Sequence, residues 1–175
     1  VDQYLESGGS FSQTSEKLED RRNRKGKGNF KWIDTWIENN NFKTIPTTLS
    51  GDDFYIVGKF KINNYQGPIN LKFAFALYNE KSEQLTDLSN HSVNEEIKIL
   101  KNTKNEYLVK CKIKKNPLAG GAYKYNVMLR NLDEVEDFIE DANTFIVEDG
   151  DFFNTGKSIE KGQGSILMKQ SWKLH

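Results

Sequence analysis

The sequence has few of the residues that usually carry covalent catalysis, disulfide bonds or metal sites. It contains one cysteine, Cys111, and two histidines, His91 and His175. A single cysteine excludes an intrachain disulfide, and its alternation with apolar neighbours predicts a buried structural thiol rather than a nucleophile. Two isolated histidines offer neither the neighbours of a zinc site nor a Ser-His-Asp set. We therefore expect no catalytic residues, no metal and no cofactor.

An excess of either charge and a long apolar segment are also missing. The 25 basic and 25 acidic residues balance, and the mean hydropathy is −0.73. Balanced charge does not indicate nucleic acid or an anionic membrane as the partner. No apolar run approaches the roughly 18 residues that span a bilayer. The start of the chain resembles no signal peptide and lacks an initiator Met, so we expect a fragment of a longer cytoplasmic protein.

The first 28 residues have the composition of a linker. From Glu6 to Gly28 the chain is rich in Gly, Ser, Lys, Glu and Arg, with only two large apolar residues, Phe11 and Leu18. A weak helix over 12–24 is compatible with this segment, and the basic run 21–25 is interpreted as solvated linker rather than as a phosphate-binding patch. We place a linker at 1–28 and a folded domain at 29–175.

The domain shows apolar residues at every second position in one segment after another. This period is typical of strands in antiparallel sheets with one buried face. Strands are predicted at 30–39, 54–62, 71–78, 107–113 and 123–129, with short ones at 144–147 and 165–172. Turn residues separate these runs, and Val135, Phe138 and Ile139 allow one helical turn. Seven or eight strands at this spacing predict an all-β sandwich.

Three motifs resemble functional sites but fail on geometry. The segment from Gly150 to Ser158 has five residues between its glycines where a P-loop needs four. As a calcium loop, the same region places Phe153 at a ligand position and Asn154 at the turn glycine. The acidic cluster between Glu134 and Asp141 falls in a polar connection, where solvated charge is the ordinary explanation. None of these supports nucleotide binding, calcium binding or acid–base catalysis.

Aromatic residues are abundant, at 12% of the chain. Sugars stack C–H faces on aromatic rings and pair their hydroxyls with planar polar groups, so an aromatic, amide-bearing strand face suits a polysaccharide. The candidate ligand-binding residues are Trp32, Trp36, Tyr78, Asn126 and Arg130. Trp32 and Trp36 are expected on one strand face. Either residue could face the core or the ligand, because a bulge in this strand would shift the register. Ala74 and Ala76 beside Tyr78 predict a shallow trough.

Several short motifs, most of them near the end of the chain, resemble a known family. They comprise Phe145 to Gly156, Gly162 to Gly164, Ile166-Leu167-Met168 and Ser171-Trp172, together with Arg24 to Gly28 and Pro117 to Tyr123. The chain after Gly26 resembles the C-terminal domains of Wzt. These are the carbohydrate-binding modules of ATP-binding-cassette exporters for O-antigen and related polysaccharides. One departure is the presence of Trp32 and Trp36 where relatives tend to place aliphatic residues.

The resemblance implies an immunoglobulin-like β-sandwich that binds a bacterial surface polysaccharide without hydrolysis. It further implies a homodimer that exchanges its last strand. An upstream ATPase domain joined through the linker and a transmembrane permease are implied as partners. The location would then be cytoplasmic, peripheral to the inner membrane through the transporter. Ligand contacts vary with the glycan, so the family does not transfer them to particular residues.

Two other functions compete with glycan binding. One is a structural domain that binds protein through a sheet edge or groove. The other is a small glycan-modifying enzyme. The sequence argues against it, because it shows no convincing acid pair and no nucleophile–base set. Binding to glycan arrays would distinguish the glycan-binding module from the protein-binding domain.

Overall fold

The computed structural model of the chain describes residues 16–100, 103–162 and 164–174. Within these ranges it contains a short 3-10 helix, Leu18–Asp20, and ten strands: β1 (Arg24–Lys25), β2 (Phe30–Asn39), β3 (Thr44–Ile45), β4 (Thr47–Leu49), β5 (Phe54–Ile62), β6 (Leu71–Tyr78), β7 (Gln84–Ser89), β8 (Glu106–Ile113), β9 (Gly121–Asn131) and β10 (Glu134–Glu148). The predicted all-β class is confirmed, and β2, β5 and β6 have the predicted bounds. No helix in the described ranges is long and apolar enough to cross a membrane.

The strands form two sheets that pack face to face. The larger sheet has the order β1-β10-β9-β6-β7, and β4 pairs in parallel with the end of β10. The smaller sheet has the order β3-β2-β5-β8. All neighbouring strands along these two paths are antiparallel. This arrangement is the predicted β-sandwich, with one face of each sheet turned inward.

The core lies between the sheets and is rich in aromatic rings. The largest fully buried side chains include Trp32, Tyr125, Phe30, Phe54, Phe60 and Phe75. The Tyr125 hydroxyl lies 2.9 Å from Thr35 Oγ1, so its polar group is satisfied inside the core. Burial raises the pKa of Tyr125. The alternation seen in the sequence is therefore the alternation between core and surface.

Part of the segment predicted as linker packs against the sandwich. Leu18 is buried in the core, and Arg21 Nη1 donates to the carbonyl oxygens of Glu140 and Asp141 at 3.2 and 2.8 Å. Arg24 forms an ion pair with Asp137. The prediction that this basic run is solvated was therefore wrong for Arg21 and Arg24, which contact Glu140 and Asp137, 119 and 113 residues away in sequence. Of the weak helix, 12–15 lie outside the described residues, and only Leu18–Asp20 is helical.

The helical turn predicted around Val135, Phe138 and Ile139 was wrong, because these residues belong to β10. Register shifts between Val135 and Asp137 and between Ile139 and Asn143 break the two-residue period. Glu136 and Asp137 are buried. Glu136 accepts a hydrogen bond from the backbone N–H of Asn29, just before β2, and Asp137 accepts one from the backbone N–H of Trp32, in β2. Because of these bulges and buried acids, the sequence of β10 lacks the regular alternation by which a strand is predicted.

The predicted strand at 165–172 was also wrong for the single chain. This segment makes one isolated bridge, between Leu118 and Ile166, and two flanking backbone hydrogen bonds. Leu167 packs on Ala119 and Phe152. Beyond it, Met168 is 74% exposed and Trp172 is 88% exposed. The end of the described chain therefore presents apolar side chains that its own sandwich does not cover.

Candidate functional site

The surface of β6 and β9 that faces away from the core brings three of the predicted residues together. We call it the outer face; its residues are Lys72, Ala74, Ala76 and Tyr78 on β6 and Lys124, Asn126, Met128 and Arg130 on β9. Ala76 pairs with Asn126, Tyr78 with Lys124, and Lys72 with Arg130. Directly paired residues of antiparallel strands share a face. Tyr78, Asn126 and Arg130 therefore lie on one surface with small residues between them.

Hydrogen bonds fix the position of Tyr78 and Asn126. Asn126 Nδ2 lies 3.4 Å from the Tyr78 hydroxyl, and its Oδ1 accepts from the Asp141 backbone N–H at 2.8 Å. The Tyr78 hydroxyl also lies 3.2 Å from Gln84 Oε1. Both side chains are half-buried. The ring and the amide are thus held in place before any ligand arrives, which lowers the entropy cost of binding.

Arg130 lies further along the same face. Arg130 is four positions after Asn126 on β9, which is about 14 Å at the usual rise. Its Nε is buried and has no hydrogen-bond partner among the described residues. The neighbouring Lys72 donates to Asp133 at 2.9 Å. This hydrogen bond, followed by the charges of Lys72, Arg130 and His91, lowers the pKa of the Asp133 carboxyl.

Two further residues of this surface were missed by sequence reasoning. Phe138 of β10 is half-buried and pairs with Met128, while Asp87 of β7 is exposed and pairs with Ala76. Phe138 was missed because its strand was interpreted as a helical turn. Asp87 was missed because β7 is a mostly polar strand whose sequence has no apolar alternation. The surface therefore carries a second aromatic ring and a carboxylate.

Trp32 and Trp36 are not part of the outer face. Trp32 is fully buried and packs on Phe60, Phe73 and Phe75, with ring centroids 5.8–6.0 Å apart. Trp36 is half-buried on the outside of the smaller sheet, where its Nε1 donates to Glu38 at 2.8 Å.

A bulge between Trp32 and Asp34 explains the separation. The extra residue, Ile33, puts the two tryptophans on opposite faces, contrary to the prediction that they share one. Since the Trp32 side chain is inaccessible, we remove it from the candidate ligand contacts.

The remaining motifs have structural explanations. Asp151 accepts hydrogen bonds from the backbone N–H groups of Thr155 and Gly156, at 2.9 and 3.0 Å. In the P-loop-like segment, backbone N–H groups that a phosphate would need therefore already donate to a carboxylate. In the described part of the chain, no three His, Cys, Asp or Glu side chains gather as a metal-binding group. Burial, followed by the charge of Glu95, raises the pKa of the Cys111 thiol.

Two packed, mainly antiparallel sheets define the class of this chain as an all-β sandwich of the immunoglobulin-like type. Its fold is similar to the crystal structure of the C-terminal domain of Wzt, with a TM-score of 0.68, 14% sequence identity and 87% of each chain covered. The predicted resemblance is thus confirmed at the level of the fold.

Other comparisons add little. A Bacteroides fragilis protein assigned as a β-galactosidase aligns with 64% of this chain and 15% of its own at 14% identity, but the TM-score of 0.36 carries no argument. No family model and no curated protein matches the sequence.

Proposed function

We propose that the chain is a non-catalytic carbohydrate-binding domain whose outer face binds an extended polysaccharide. The observation that carries the proposal is the placement of Tyr78, Asn126 and Arg130 on one surface of a sandwich with the fold of the Wzt C-terminal domain. The tyrosine ring offers a stacking plane for a sugar ring. The amide and the guanidinium offer fixed donors and acceptors for hydroxyl groups.

The proposal extends to polysaccharide export. The sequence resemblance to the Wzt modules implies a place behind an ATPase domain of an exporter, with a permease as the membrane partner and a cytoplasmic location. In this arrangement the domain recognises the cargo and the ATPase drives its transport. We expect no release of reducing ends from the bound glycan. Glycoside hydrolysis needs two carboxylates that flank the bond, and the residues named above on the outer face include a single carboxylate, Asp87.

Alanine substitutions on the outer face test the proposal. We expect Tyr78→Ala, Asn126→Ala and Arg130→Ala each to weaken glycan affinity, and the loss of the stacking ring to cost about 1–3 kcal/mol by analogy with base stacking. The measurement is isothermal titration with oligosaccharides of the organism's own surface polysaccharide, alongside thermal unfolding.

Tyr55→Ala is the matched control, since Tyr55 is a half-buried tyrosine on the outside of the other sheet. It should leave affinity unchanged. Unchanged affinity in all three outer-face variants with an intact fold would show that the ligand lies elsewhere. A chain that binds no glycan on an array but captures a protein through a sheet edge would support the alternative function.

A homodimer formed through the C-terminal segment is part of the proposal. Gly156, Gly162 and Gly164 all have positive φ, so the backbone before this segment adopts conformations that other residues rarely tolerate. Met168 and Trp172 are exposed in the single chain, and burying one such side chain contributes roughly 1.5–3 kcal/mol. Exchange of identical segments would bury them at low cost.

We expect the full chain to be a dimer at micromolar concentration by light scattering, and a chain ending at Gly164 to be monomeric. Because truncation also removes Leu167 from its contacts, a second variant replaces only Met168 and Trp172 with serine and should weaken the dimer without unfolding the sandwich. A monomeric full chain would refute this assembly.

A further inference from the structure

A cavity of about 620 Å³, lined by none of the residues that define the outer face, opens at one end of the sandwich. We call it the end cavity. Its walls come from the end of β5 and the loop that follows, from the loop before β8, and from β8 itself; the residues that matter are Asn64, Tyr65, Gln66, Asn70, Asn105 and Tyr107. Cavities of this size are typical of small-ligand sites.

Two tyrosine rings in the end cavity are supported from behind by the core. The Tyr65 ring lies 5.1 Å from Phe30, and the Tyr107 ring stacks on Phe60 at 5.5 Å. Phe30 and Phe60 are buried. Gly67 lets Tyr65 fold over the turn, because a Cβ at that position would come within 2.5 Å of the Tyr65 hydroxyl oxygen. The rings are therefore presented to the cavity in fixed orientations.

The amides of the end cavity differ from most others in the chain. Elsewhere, side-chain amides hold turns and strands together, as Asn90 does for Phe73 and Asn131 does for Asn70. Four amides in the cavity make no side-chain hydrogen bond within the described part of the chain: Asn64, Gln66, Asn70 and Asn105. Each offers donors and an acceptor at a fixed spacing. They are free to bind a ligand rich in hydroxyl groups.

The charge of the end cavity favours a neutral ligand. Among the described residues that line it are one acid, Glu96, and one base, Lys98. These residues form no cluster of cations that would hold a phosphate or a carboxylate. Aromatic rings stack on sugar rings, and side-chain amides form hydrogen bonds with sugar hydroxyl groups, so this lining suits a neutral saccharide.

A polar route connects the end cavity to the outer face. Asn70 and Glu96 also line an adjoining cavity of about 260 Å³, whose other walls include Lys72, Asn90 and His91. Lys72 is the direct strand partner of Arg130. The end of the outer face therefore runs, through polar side chains, into the end cavity.

We propose that the end cavity is a second binding site for a neutral saccharide unit, and that one oligosaccharide contacts both this site and the outer face. The inference rests on the proposed function, because it assigns the same ligand class to a longer binding path. The domain would then recognise several consecutive sugar units rather than a single ring.

A ladder of neutral oligosaccharides of increasing length, prepared from the organism's surface polysaccharide, tests this inference by titration. Affinity of the unmodified chain should rise once an oligosaccharide is long enough to reach both sites. The double variant Asn64→Ala/Gln66→Ala should lose that rise, by about 5-fold or more for two hydrogen-bonding groups, and keep its affinity for shorter oligosaccharides. Gly67→Ala should act in the same direction by displacing Tyr65.

Asn40→Ala is the control, since Asn40 is an exposed amide in the turn that follows β2, at the opposite end of that strand from Phe30. If the double variant binds long oligosaccharides as tightly as the unmodified chain does, the end-cavity site is overturned while the outer face stands. If Tyr78→Ala has no effect and the double variant abolishes binding, the proposed outer face fails and the end cavity is the binding site. If no oligosaccharide of any length binds to the unmodified chain, both proposals fall.

Discussion

Replacing Asp137 with alanine is expected to destabilise the domain by about 3–5 kcal/mol, the usual cost of removing one partner from a buried ion pair. The Asp137 carboxylate is buried and accepts three hydrogen bonds: from the Trp32 backbone N–H at 2.7 Å and from Arg24 Nε and Nη2 at 3.0 and 2.5 Å. Arg24 in turn donates to the carbonyl oxygens of Leu18, Glu19 and Trp32. Without the carboxylate, the partly buried guanidinium loses its counter-charge and the Trp32 backbone N–H loses its acceptor.

The measurement is equilibrium unfolding in urea. The dependence of the unfolding free energy on urea concentration is compared between variants, because a change in it would mean that more than stability has changed. Asp133→Ala is the matched control, because Asp133 pairs with Lys72 at the surface with its side chain 94% exposed, and exposed pairs contribute little. The double variant Arg24→Met/Asp137→Leu should recover much of the lost stability, since it removes both charges together. An Asp137→Ala variant as stable as the Asp133→Ala control would contradict this account of the segment before β2.

Trp32→Ala is the second change with a large expected effect, also about 3–5 kcal/mol. The indole is fully buried at the centre of an aromatic cluster formed with Phe60, Phe73 and Phe75. Its Nε1 has no hydrogen-bond partner among the described residues, so Trp32→Phe removes an unsatisfied donor as well as volume. We therefore expect Trp32→Phe to cost clearly less than Trp32→Ala.

Glycan affinity separates the two roles that the sequence left open for Trp32. A core residue replaced by phenylalanine should leave the affinity of the folded domain unchanged. Titration of Trp32→Phe under conditions where it is fully folded measures this. A loss of affinity comparable to that of Tyr78→Ala would return Trp32 to the binding site.

The regular strands could be predicted from the sequence because each has one buried face. In β5 and β6 the alternation of large apolar residues with polar or small ones gave the bounds directly. The same regularity placed Tyr78, Asn126 and Arg130 on one surface, since β6 and β9 pair without a register shift.

Bulges account for most of what could not be predicted. The extra residue after Trp32 reverses the facing of Trp36, and two register shifts in β10 disguise Phe138 and its neighbours. A bulge depends on pairing with another strand, so the local pattern does not contain it. The burial of Arg24 and Asp137 likewise depends on a contact between residues 113 positions apart. From the sequence alone, the charges of Arg24 and Asp137 would each be predicted to be solvated.

The most direct test of the central claim is titration of the full chain with the surface polysaccharide of its own organism. We expect saturable binding, weakened in Tyr78→Ala and unchanged in Tyr55→Ala, with no increase in reducing ends during the experiment. A correctly folded chain that gives no saturable binding to that polysaccharide would contradict the claim.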